Sequence, residues 1–319
     1  MSYHRLHVDV LLTEFTLADR FWQSLDQRAL PEMFFYWFPL SVRAWVALCQ
    51  DQHYRNYVRS DRLIQASAKQ IVGHMACNKG DQIDVISLGA GQGTKDLHVL
   101  SALLDEGYRV IYRPVDSGQM LLEMACEQAL EHGADAHGLK ADIADLAHLS
   151  ALAPSPYEAP RLVMMVGNTL GAFDPAVMLH RLRTLVRTED ILIIDGELGN
   201  DDATRAGYEH PANRAFALAP LRSIGLTEED GTLMFHAHND VMPGMHRLEK
   251  SFCLHDDRTV QVAGERLCFK AGDCIHMNHS GKFERETLLS LLLQAGFLVI
   301  DEYLSEDRRF AMIAAKAAP

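Results

Sequence analysis

The spacing of apolar residues changes along the chain, and each change predicts a different kind of structure. In the first eighty residues, apolar positions recur three and four residues apart, in "FTLADRFWQSL" and again from Arg62 to Met75. That spacing predicts amphipathic helices. Between them, "LPEMFFYWFPL" predicts a helix that packs aromatic rings onto the core. The rings of Phe34, Phe35 and Tyr36 are also candidates to line and close a substrate pocket.

From Ile83 onward, short apolar runs alternate with helical stretches or turns. The candidate strands are Ile83–Leu88, Val110–Val115, Ala136–Lys140, Leu162–Val166 and Ile191–Asp195. These runs are continuously apolar, as expected for strands that are covered on both faces. The pattern therefore predicts an α/β fold built on a doubly wound, parallel sheet.

After Glu197 the rhythm changes to pairs of β-type segments. "TLMFHAHNDV", "MHRLEKSFCLH", "TVQVAG" and "ERLCFKAGD" predict an antiparallel sheet with hairpin turns at Pro243-Gly244 and Ala263-Gly264. The helix "ERETLLSLLLQAGF" and the strands "LVIDEYL" and "FAMIAAK" close the chain. We expect one domain over 58–198 plus 281–319, and a second, smaller domain of N-terminal helices and inserted sheet over 1–57 plus 199–280.

Net charge narrows the range of partners. The 319 residues include 30 Lys and Arg against 43 Asp and Glu, a net charge of −13, without a run of basic residues. Because phosphate contacts dominate binding to nucleic acids and charge drives binding to anionic membranes, neither is an expected partner. The N-terminus lacks the apolar core of a signal peptide, and no apolar run reaches the length of a membrane span. We expect a soluble, cytoplasmic protein.

The six cysteines are scattered, and no Cys-x-x-Cys occurs. This arrangement predicts neither disulfides nor a thiolate zinc site, and it fits a reducing compartment. His276 and His279, in "HMNHS", have a spacing that can occur in metal sites. With no third ligand nearby in the sequence, a structural role is the expected one, and we predict no metal.

The segment "DVISLGAGQGTKD" places Gly89, Gly91 and Gly93 between a predicted strand and a helix. A phosphate-binding P-loop requires Lys directly after its last glycine, whereas here Thr94 precedes Lys95. A dinucleotide fingerprint spaces its glycines as Gly-x-Gly-x-x-Gly, one residue wider than the pattern here. The tighter loop suits a ligand without phosphate that packs directly against the backbone.

S-adenosylmethionine is such a ligand, and acids follow the next two predicted strands. Asp116, in "YRPVDS", can accept hydrogen bonds from both ribose hydroxyls. Asp142, in "LKADIADL", can accept from the adenine amino group, and Ile143 can cover the adenine ring. Each acid taken alone could equally be structural or solvated. The glycine loop and the two acids in this order form the more specific pattern.

The sequence resembles the histidine-specific methyltransferases from roughly Leu30 to the C-terminus. The matching segments are "LGAGQGTKD", "YRPVDS", "VGNTLGAFDP", "GYEHPANRAF" and "FKAGDCIHMNHSGKFERETL". Of these, the last block is the most specific, with a Ser-x-Lys-(Phe/Tyr) after an "AGD" turn. The resemblance implies a Rossmann-like class I methyltransferase sheet, with a second domain built from N-terminal helices and a late antiparallel insertion.

The resemblance also implies cofactor positions that coincide with those above. They are Gly89, Lys95, Asp116, Asp142 and Ile143. For Lys95, a solvated lysine in the first turn of a helix is the alternative. The family commonly has an acid two residues before the first glycine, where this sequence has Ser87. That departure weakens one water-mediated network and leaves the loop intact.

At the substrate positions the resemblance is weaker. It assigns Tyr208 to the carboxylate end of the acceptor, and Tyr54 or Tyr57 to a pocket tyrosine. The family asparagine that holds the substrate amino group falls on Ala172, and Asn168, four residues earlier, is the candidate to replace it. We therefore expect Tyr208 and Asn168 to orient the acceptor during catalysis.

Three further positions concern the acceptor's side chain. The imidazole-binding Glu and Ser of the family fall on Asn278 and Ser280, and its pocket methionine falls on Phe235. An asparagine keeps a hydrogen-bonding amide but removes the charge, and a flat ring replaces a flexible thioether. Losing one charge-assisted hydrogen bond costs about 1.5–3 kcal/mol, so histidine is not the expected acceptor.

Together these observations predict a methyltransferase that uses S-adenosylmethionine to methylate the amino group of an amino acid or related small amine. Two alternatives stay open from the sequence. The same fold could use the cofactor for O-methylation or for intramolecular cyclisation of the cofactor's aminobutyryl chain. A non-catalytic ligand sensor with a degenerate site is the other. The oligomeric state is not indicated by the sequence.

Overall fold

The computed structural model describes residues 6–153, 159–199 and 202–319. The chain forms two compact units. The first, here called the sheet unit, comprises Met1–Leu11, Asn56–Gly199 and Phe283–Pro319. The second, the insert unit, comprises Leu12–Arg55 and Asn200–Lys282.

The strands alternate with helices through the first two thirds of the chain. The strands are β1 (His7–Val10), β2 (Gln82–Leu88), β3 (Arg109–Asp116), β4 (Asp135–Lys140), β5 (Arg161–Met165), β6 (Ile191–Glu197), β7 (Gly231–Met242), β8 (Met245–Leu254), β9 (Arg258–Val262), β10 (Glu265–Phe269), β11 (Cys274–Phe283), β12 (Phe297–Leu304) and β13 (Phe310–Ala317). The α-helices are α1 (Glu14–Asp26), α2 (Pro39–Gln50), α3 (Arg55–Gly73), α4 (Asp96–Asp105), α5 (Gln119–Glu131), α6 (Leu146–Ser150), α7 (Pro175–Leu185), α8 (Asp202–Glu209), α9 (Pro211–Arg222) and α10 (Arg285–Gln294). Two 3₁₀ turns span Glu32–Phe35 and Thr169–Ala172. None of the described helices has both the length and the apolar character of a membrane span.

The sheet unit is built on eight strands in the order β1-β4-β3-β2-β5-β6-β13-β12. Strands β1 to β6 pair in parallel, and β13 runs antiparallel to both β6 and β12. The five predicted parallel strands and the two closing strands are confirmed. The direction of winding reverses between β2 and β5, and the carboxyl ends of strands at such a switch point are where open α/β sheets bind ligands.

Two parts of the chain differ from the sequence expectation. The first eighty residues contain not only helices but also β1, whose four residues pair with His137 to Lys140 at the sheet edge. Its "HVDV" alternation is too short to stand out from the helical spacing that follows. The sequence predicts paired β-type segments after Glu197, but in the structure two helices, α8 and α9, come first. The strand Gly231–Met242 begins only after them.

The insert unit contains a three-stranded sheet, β11-β8-β7, and a two-stranded sheet, β10-β9. The predicted hairpins are confirmed: Pro243-Gly244 joins β7 to β8, and Ala263-Gly264 joins β9 to β10. Ala263 and Gly264 both have positive φ, which a tight two-residue turn requires. The core of this unit includes Phe34 and Phe35, whose side chains are 1% and 0% exposed. Both side chains pack in the core of this unit, as the sequence predicts, and their part in closing a substrate pocket stays a prediction.

A disulfide joins Cys253 of β8 to Cys274 of β11. The sequence expectation of no disulfide is therefore wrong for this pair. The two cysteines are 21 residues apart in the chain, and β8 and β11 bring their Cα atoms within 4.0 Å. The proximity follows from strand pairing in the insertion, and no spacing motif in the sequence indicates it.

Candidate active site

The loop between β2 and α4 has a backbone that only glycine tolerates well. Gly89, Gly91 and Gly93 have φ values of +71°, +58° and +78°. A Cβ on Gly93 would come 2.9 Å from the Cβ of Ala125, and one on Gly89 would come 3.1 Å from Cγ2 of Thr169. The loop therefore packs against neighbouring chain on both sides, with Gly89 at the β2–β5 switch point.

Asp116 ends β3 and turns its carboxylate toward this loop. Its Oδ2 accepts a hydrogen bond from Gly91 N at 2.9 Å, and its Oδ1 accepts from Gly118 N at 2.9 Å. Burial raises the pKa of Asp116, and the backbone N–H groups of Gly118 and Gly91 act in the opposite direction. Each carboxylate oxygen keeps a further lone pair, so the group can still accept from two hydroxyls.

Asp142 and Ile143 follow β4 at the same edge of the sheet. Asp142 Oδ1 accepts from Ala144 N at 2.8 Å, which caps the turn. Cδ1 of Ile143 lies 3.7 Å from where a Cβ on Gly89 would stand. The side chain of Ile143 therefore lies at the glycine loop. Asp142 is the residue directly before it in the chain.

Lys95 points across the loop toward the carboxyl ends of β5 and β6. Its Nζ lies 5.2 Å from the ring centroid of Tyr57, and a Cβ on Gly167 would meet the same Nζ. Asp195 of β6 accepts from Gly167 N at 2.8 Å and from Asn168 N at 2.7 Å. Burial raises the pKa of Asp195, and the charge of Lys95 opposes that rise. Lys95, which is partly buried, therefore lies close enough to a buried polar network to act on its charge, which does not fit the alternative of a fully solvated lysine.

Asn168 has a left-handed backbone conformation, with φ +60° and ψ 27°. Its side-chain Oδ1 accepts from Glu197 N at 2.9 Å, and Glu197 Oε2 accepts from Asn56 Nδ2 at 2.5 Å. Ser60 also donates to Asp195, at 2.6 Å. Sequence reasoning missed Asn56, Ser60 and Glu197, which carry no motif. For Asn56 and Ser60, the available signal was a polar residue on the buried face of the amphipathic α3.

The residues at this edge fit S-adenosylmethionine. The cofactor needs close approach to a bare backbone, an acid for its ribose and an apolar cover for its adenine. The glycine loop, Asp116 and Ile143 supply these three features together at the switch point. A Cβ on Gly89 would stand beside Thr169 and Ile143, within the cradle, whereas one on Gly93 would clash with Ala125 of α5.

The insert unit holds a second polar cluster, around Lys282 at the end of β11. The Lys282 side chain is fully buried, and its Nζ donates to Tyr208 Oη at 2.7 Å and to Ser280 Oγ at 2.6 Å. The two hydroxyl oxygens are 2.8 Å apart. The structure thus brings together Tyr208, which the resemblance assigns to the carboxylate end of the acceptor, and Ser280, which it assigns to the acceptor's ring. Lys282 belongs to the quoted motif but had been given no role.

Asn278 lies next to a carboxylate that the sequence did not predict. Leu30 N donates to His276 O at 2.7 Å, so the segment leading into the first 3₁₀ turn pairs with β11. Two residues farther along each segment, Asn278 Nδ2 donates to Glu32 Oε2, and Tyr36 Oη donates to Glu32 Oε1 at 2.8 Å. The negative charge expected to be lost at position 278 is therefore supplied by Glu32, from a different element.

Phe235 and Lys250 are directly opposite each other on β7 and β8, so their side chains share one face of the sheet. Lys250 is 4% exposed, and its Nζ lies 5.4 Å from the ring centroid of Phe35. Burial lowers the pKa of Lys250 to about 8, the charge of Glu32 opposes that shift, and Lys282 adds to it. Arg214 Cζ lies 5.8 Å from the Phe235 ring centroid.

This lowered pKa predicts a pH dependence of stability. Lys250 has a pKa of about 8 when folded and 10.5 in the reference state, so its buried charge destabilises the fold fully below pH 8 and less as the pH rises toward 10.5. The free energy of unfolding of the wild type, minus that of Lys250→Met, should rise by about 2 kcal/mol between pH 8 and pH 9.5. Urea titrations of both proteins measure this difference, and a flat difference would contradict the buried, titrating ammonium.

His276 and His279 do not form one site. They are three residues apart on β11, so their side chains project to opposite faces. Among the described residues, one other group of candidate ligands is close together, namely Asp51, His53 and His210. The two imidazole rings stack almost parallel, at 4.3 Å and 16°. An ion lies in the plane of each imidazole that binds it, and two stacked planes share no such point. Instead, Asp51 Oδ1 lies 2.8 Å from His53 Nδ1, and Asp51 Oδ2 lies 3.2 Å from His210 Nδ1.

The sheet order, the bare loop at its switch point and the acid after β3 define a class I methyltransferase that depends on S-adenosylmethionine. The model of the family described as histidine-specific, SAM-dependent methyltransferases matches residues 17–317. The chain belongs to this family.

Similar proteins include the N-methyltransferase fsqC of Aspergillus fumigatus, which is 25% identical over 300 residues, 89% of this chain and 79% of that protein. Among solved structures, the CcbJ methyltransferase of Streptomyces caelestis is 17% identical, with a TM-score of 0.42 over 80% of this chain and 95% of that one. The SAM-bound amino pentose methyltransferase CalS10 of Micromonospora echinaspora is 14% identical, with a TM-score of 0.37 over 83% and 94%.

Proposed function

We propose that this protein transfers a methyl group from S-adenosylmethionine to the amino group of an amino acid or related small amine, with histidine not the preferred acceptor. The observation that carries the proposal is the buried ammonium of Lys282, which donates to the hydroxyls of Tyr208 and Ser280. One ammonium with two flanking hydroxyls suits a carboxylate, the group that every amino acid carries. The similarity to fsqC, an N-methyltransferase, supports nitrogen as the acceptor atom.

For the cofactor, the chain offers a cradle at the end of the sheet. The residues proposed to hold it are Gly89, Gly91, Gly93, Lys95, Asp116, Asp142 and Ile143. When bound, the cofactor supplies a methyl group on a positively charged sulfur. Asp116 would accept from the ribose hydroxyls, Ile143 would cover the adenine and exclude water, and the glycines leave the backbone accessible.

Methyl transfer is an in-line displacement, so the protein's main contribution is to position the reactants. An amine must arrive without its proton, because only the neutral form has a lone pair. Desolvation lowers an amine's pKa, so a strong base is not required. Tyr208 is proposed to orient the acceptor through its carboxylate. Asn168 is proposed to position the amino group, with its amide plane fixed by the bond that its Oδ1 accepts from Glu197 N.

The expectation about histidine now has a different physical basis. Glu32 replaces the missing carboxylate, but its charge is shared with the buried ammonium of Lys250. Asn278, a neutral amide, stands at the position itself. A cationic ring therefore gains less here than beside an uncompensated carboxylate, and we expect kcat/KM for histidine to be at least ten-fold below that of the best acceptor. Comparable values would contradict the proposal on histidine and leave N-methylation standing.

The test of the reaction is a screen of amino acids and related amines for release of S-adenosylhomocysteine, followed by mass spectrometry of the product. Attachment of methyl to nitrogen is the expected result. Methyl on oxygen, or formation of methylthioadenosine without a methylated acceptor, would overturn the proposal in favour of the alternative chemistries. A cofactor that binds and is never consumed would indicate a ligand sensor.

A further inference from the structure

Asn278 presents a buried acceptor that no described residue satisfies. Its side chain is 93% buried, since 7% of it is exposed, and its Nδ2 donates to Glu32. A carboxylate can only accept, so the amide must face Glu32 with Nδ2, and Oδ1 must point the other way. That oxygen is buried and has no hydrogen-bond partner in the part of the chain that the structure describes. Leaving it unpaired costs about 1–3 kcal/mol, which a donor on a ligand would recover.

We infer that Asn278, held in this orientation by Glu32, accepts a hydrogen bond from a neutral N–H or O–H group on the side-chain ring of the acceptor amino acid. The inference rests on the proposed function, because it takes the acceptor to be an amino acid. It makes Asn278 the residue that selects the acceptor's side chain, and it makes Glu32 a positioning residue.

The spacing along β11 indicates that the donor is on the side chain. Asn278 and Ser280 are two residues apart on one strand, so they project from the same face, about 7 Å from each other. The carboxylate subsite proposed above is at Ser280 and Lys282, whose Oγ and Nζ are hydrogen-bonded. An α-amino group shares its carbon with the carboxylate and cannot reach Asn278 from there. A donor farther along the side chain can, and this arrangement leaves the amino group unclaimed by either subsite.

The charges around β8 and β11 favour a neutral donor over a cation. The carboxylate of Glu32 bonds Asn278, and its charge also raises the pKa of the buried Lys250, so it already has an ammonium near it. A cationic side chain such as that of lysine would add a second positive charge to one carboxylate, whereas an indole or phenol would add none.

Aromatic rings adjoin the same carboxylate. Tyr36, which shares Glu32 with Asn278, has its ring centroid 5.2 Å from that of Trp45 and 5.6 Å from that of Phe216. Tyr36 and Trp45 are only partly buried, so they have ring surface left to contact a ligand. A flat side chain gains from such neighbours, and this favours a ring as the carrier of the donor.

The test compares acceptors in pairs that differ only in the donor. These are L-tyrosine against L-phenylalanine and L-tryptophan against 1-methyl-L-tryptophan, with L-lysine and L-histidine as cationic or ionisable comparisons. For at least one pair, we expect kcat/KM of the donor-bearing member to be at least ten-fold higher, because its partner leaves the Asn278 oxygen unpaired. Equal values within both pairs, or a preference for lysine, would overturn the inference.

Variants connect the preference to these residues. Asn278→Leu should reduce the ratio within the preferred pair to about three-fold or less, mainly through the KM of the donor-bearing member. Glu32→Gln lets the amide at 278 rotate, because a glutamine can donate as well as accept, and it should lower the same ratio. Gln261→Leu, the same change of amide to alkyl at an exposed position on β9 of the same unit, is the control and should leave the ratio unchanged.

Each failure has its own signature. If amino acids are N-methylated but Asn278→Leu keeps the full ratio, the inference is wrong and the proposed function stands. If no amino acid is methylated, and calorimetry with S-adenosylhomocysteine present shows no binding of tyrosine or tryptophan, both are wrong. Unchanged cofactor affinity in Asn278→Leu and Glu32→Gln, measured by the same calorimetry, shows that the variants are folded.

Discussion

Replacing Asp116 with alanine should weaken S-adenosylmethionine binding by at least ten-fold. The carboxylate is proposed to accept from two ribose hydroxyls, and each charge-assisted hydrogen bond contributes about 1.5–3 kcal/mol. The variant also removes the acceptor for Gly91 N, so the glycine loop loses one of the bonds that tie it to β3. Isothermal titration calorimetry of the purified proteins measures the loss directly.

The control for this variant is Asp135→Ala. Asp135 begins β4, has an exposed side chain and lies at the opposite end of the parallel strands from the cofactor residues. Removing it changes the net charge by the same amount, so a general electrostatic effect would appear in both variants. Unchanged affinity in Asp116→Ala, with a normal unfolding transition, would remove Asp116 from the cofactor site. Asp116→Asn should give an intermediate loss, because the amide keeps one accepting oxygen.

The sheet unit was largely predictable because its signals are local. A strand covered on both faces has an almost uninterrupted run of buried residues, as β2, β5 and β6 do, whereas burial alternates along much of β3 and β4. The glycines between β2 and α4 could be interpreted in the same way, since a loop with positive φ in close contact with its neighbours has few other solutions. An acid at the end of the following parallel strand then had to lie at the same edge of the sheet as this loop.

The insert unit was less predictable because its contacts are between distant segments. Glu32 looks like an ordinary acid at the start of a short turn, and only the pairing of Leu30 with His276 brings it to Asn278. Cys253 and Cys274 meet for a similar reason, through the pairing of β8 with β11. Such registers depend on which strands pair, and a single sequence does not state them.

Lys250 shows how one substitution-based argument can be incomplete. At position 278 the family has a glutamate and this chain has an asparagine, and that substitution alone predicts that the site has lost a negative charge. The folded insert unit has a carboxylate at Glu32 and ammonium groups at Lys250 and Lys282, so position 278 alone does not give the charge of the site. A lysine at a buried position of the alternating segment "RLEKSFCL" was the one available signal, because lysine is rarely buried without a partner.

Replacing Lys282 with methionine should lower kcat/KM for the acceptor by ten-fold to over a hundred-fold, while the affinity for S-adenosylmethionine stays within about three-fold of the wild type. The ammonium is proposed to receive the acceptor's carboxylate, and a charge-assisted bond of that kind contributes about 1.5–3 kcal/mol. Most of the loss should appear in KM, since the carboxylate is bound in the ground state as well as in the transition state. Steady-state kinetics and calorimetry give the two quantities separately.

A folding defect in Lys282→Met could also lower the activity, so the variant needs a control that separates misfolding from loss of the ammonium. Methionine fills most of the volume of lysine, and the hydroxyls of Tyr208 and Ser280 remain 2.8 Å apart and can bond each other. Lys270→Met, at an exposed lysine of the same unit paired with Asp257, removes the same charge and should leave both constants unchanged. An unchanged KM for the acceptor in both Lys282→Met and Lys270→Met would contradict the prediction. The ammonium of Lys282 would then support only the fold of β11, and other groups would bind the acceptor's carboxylate.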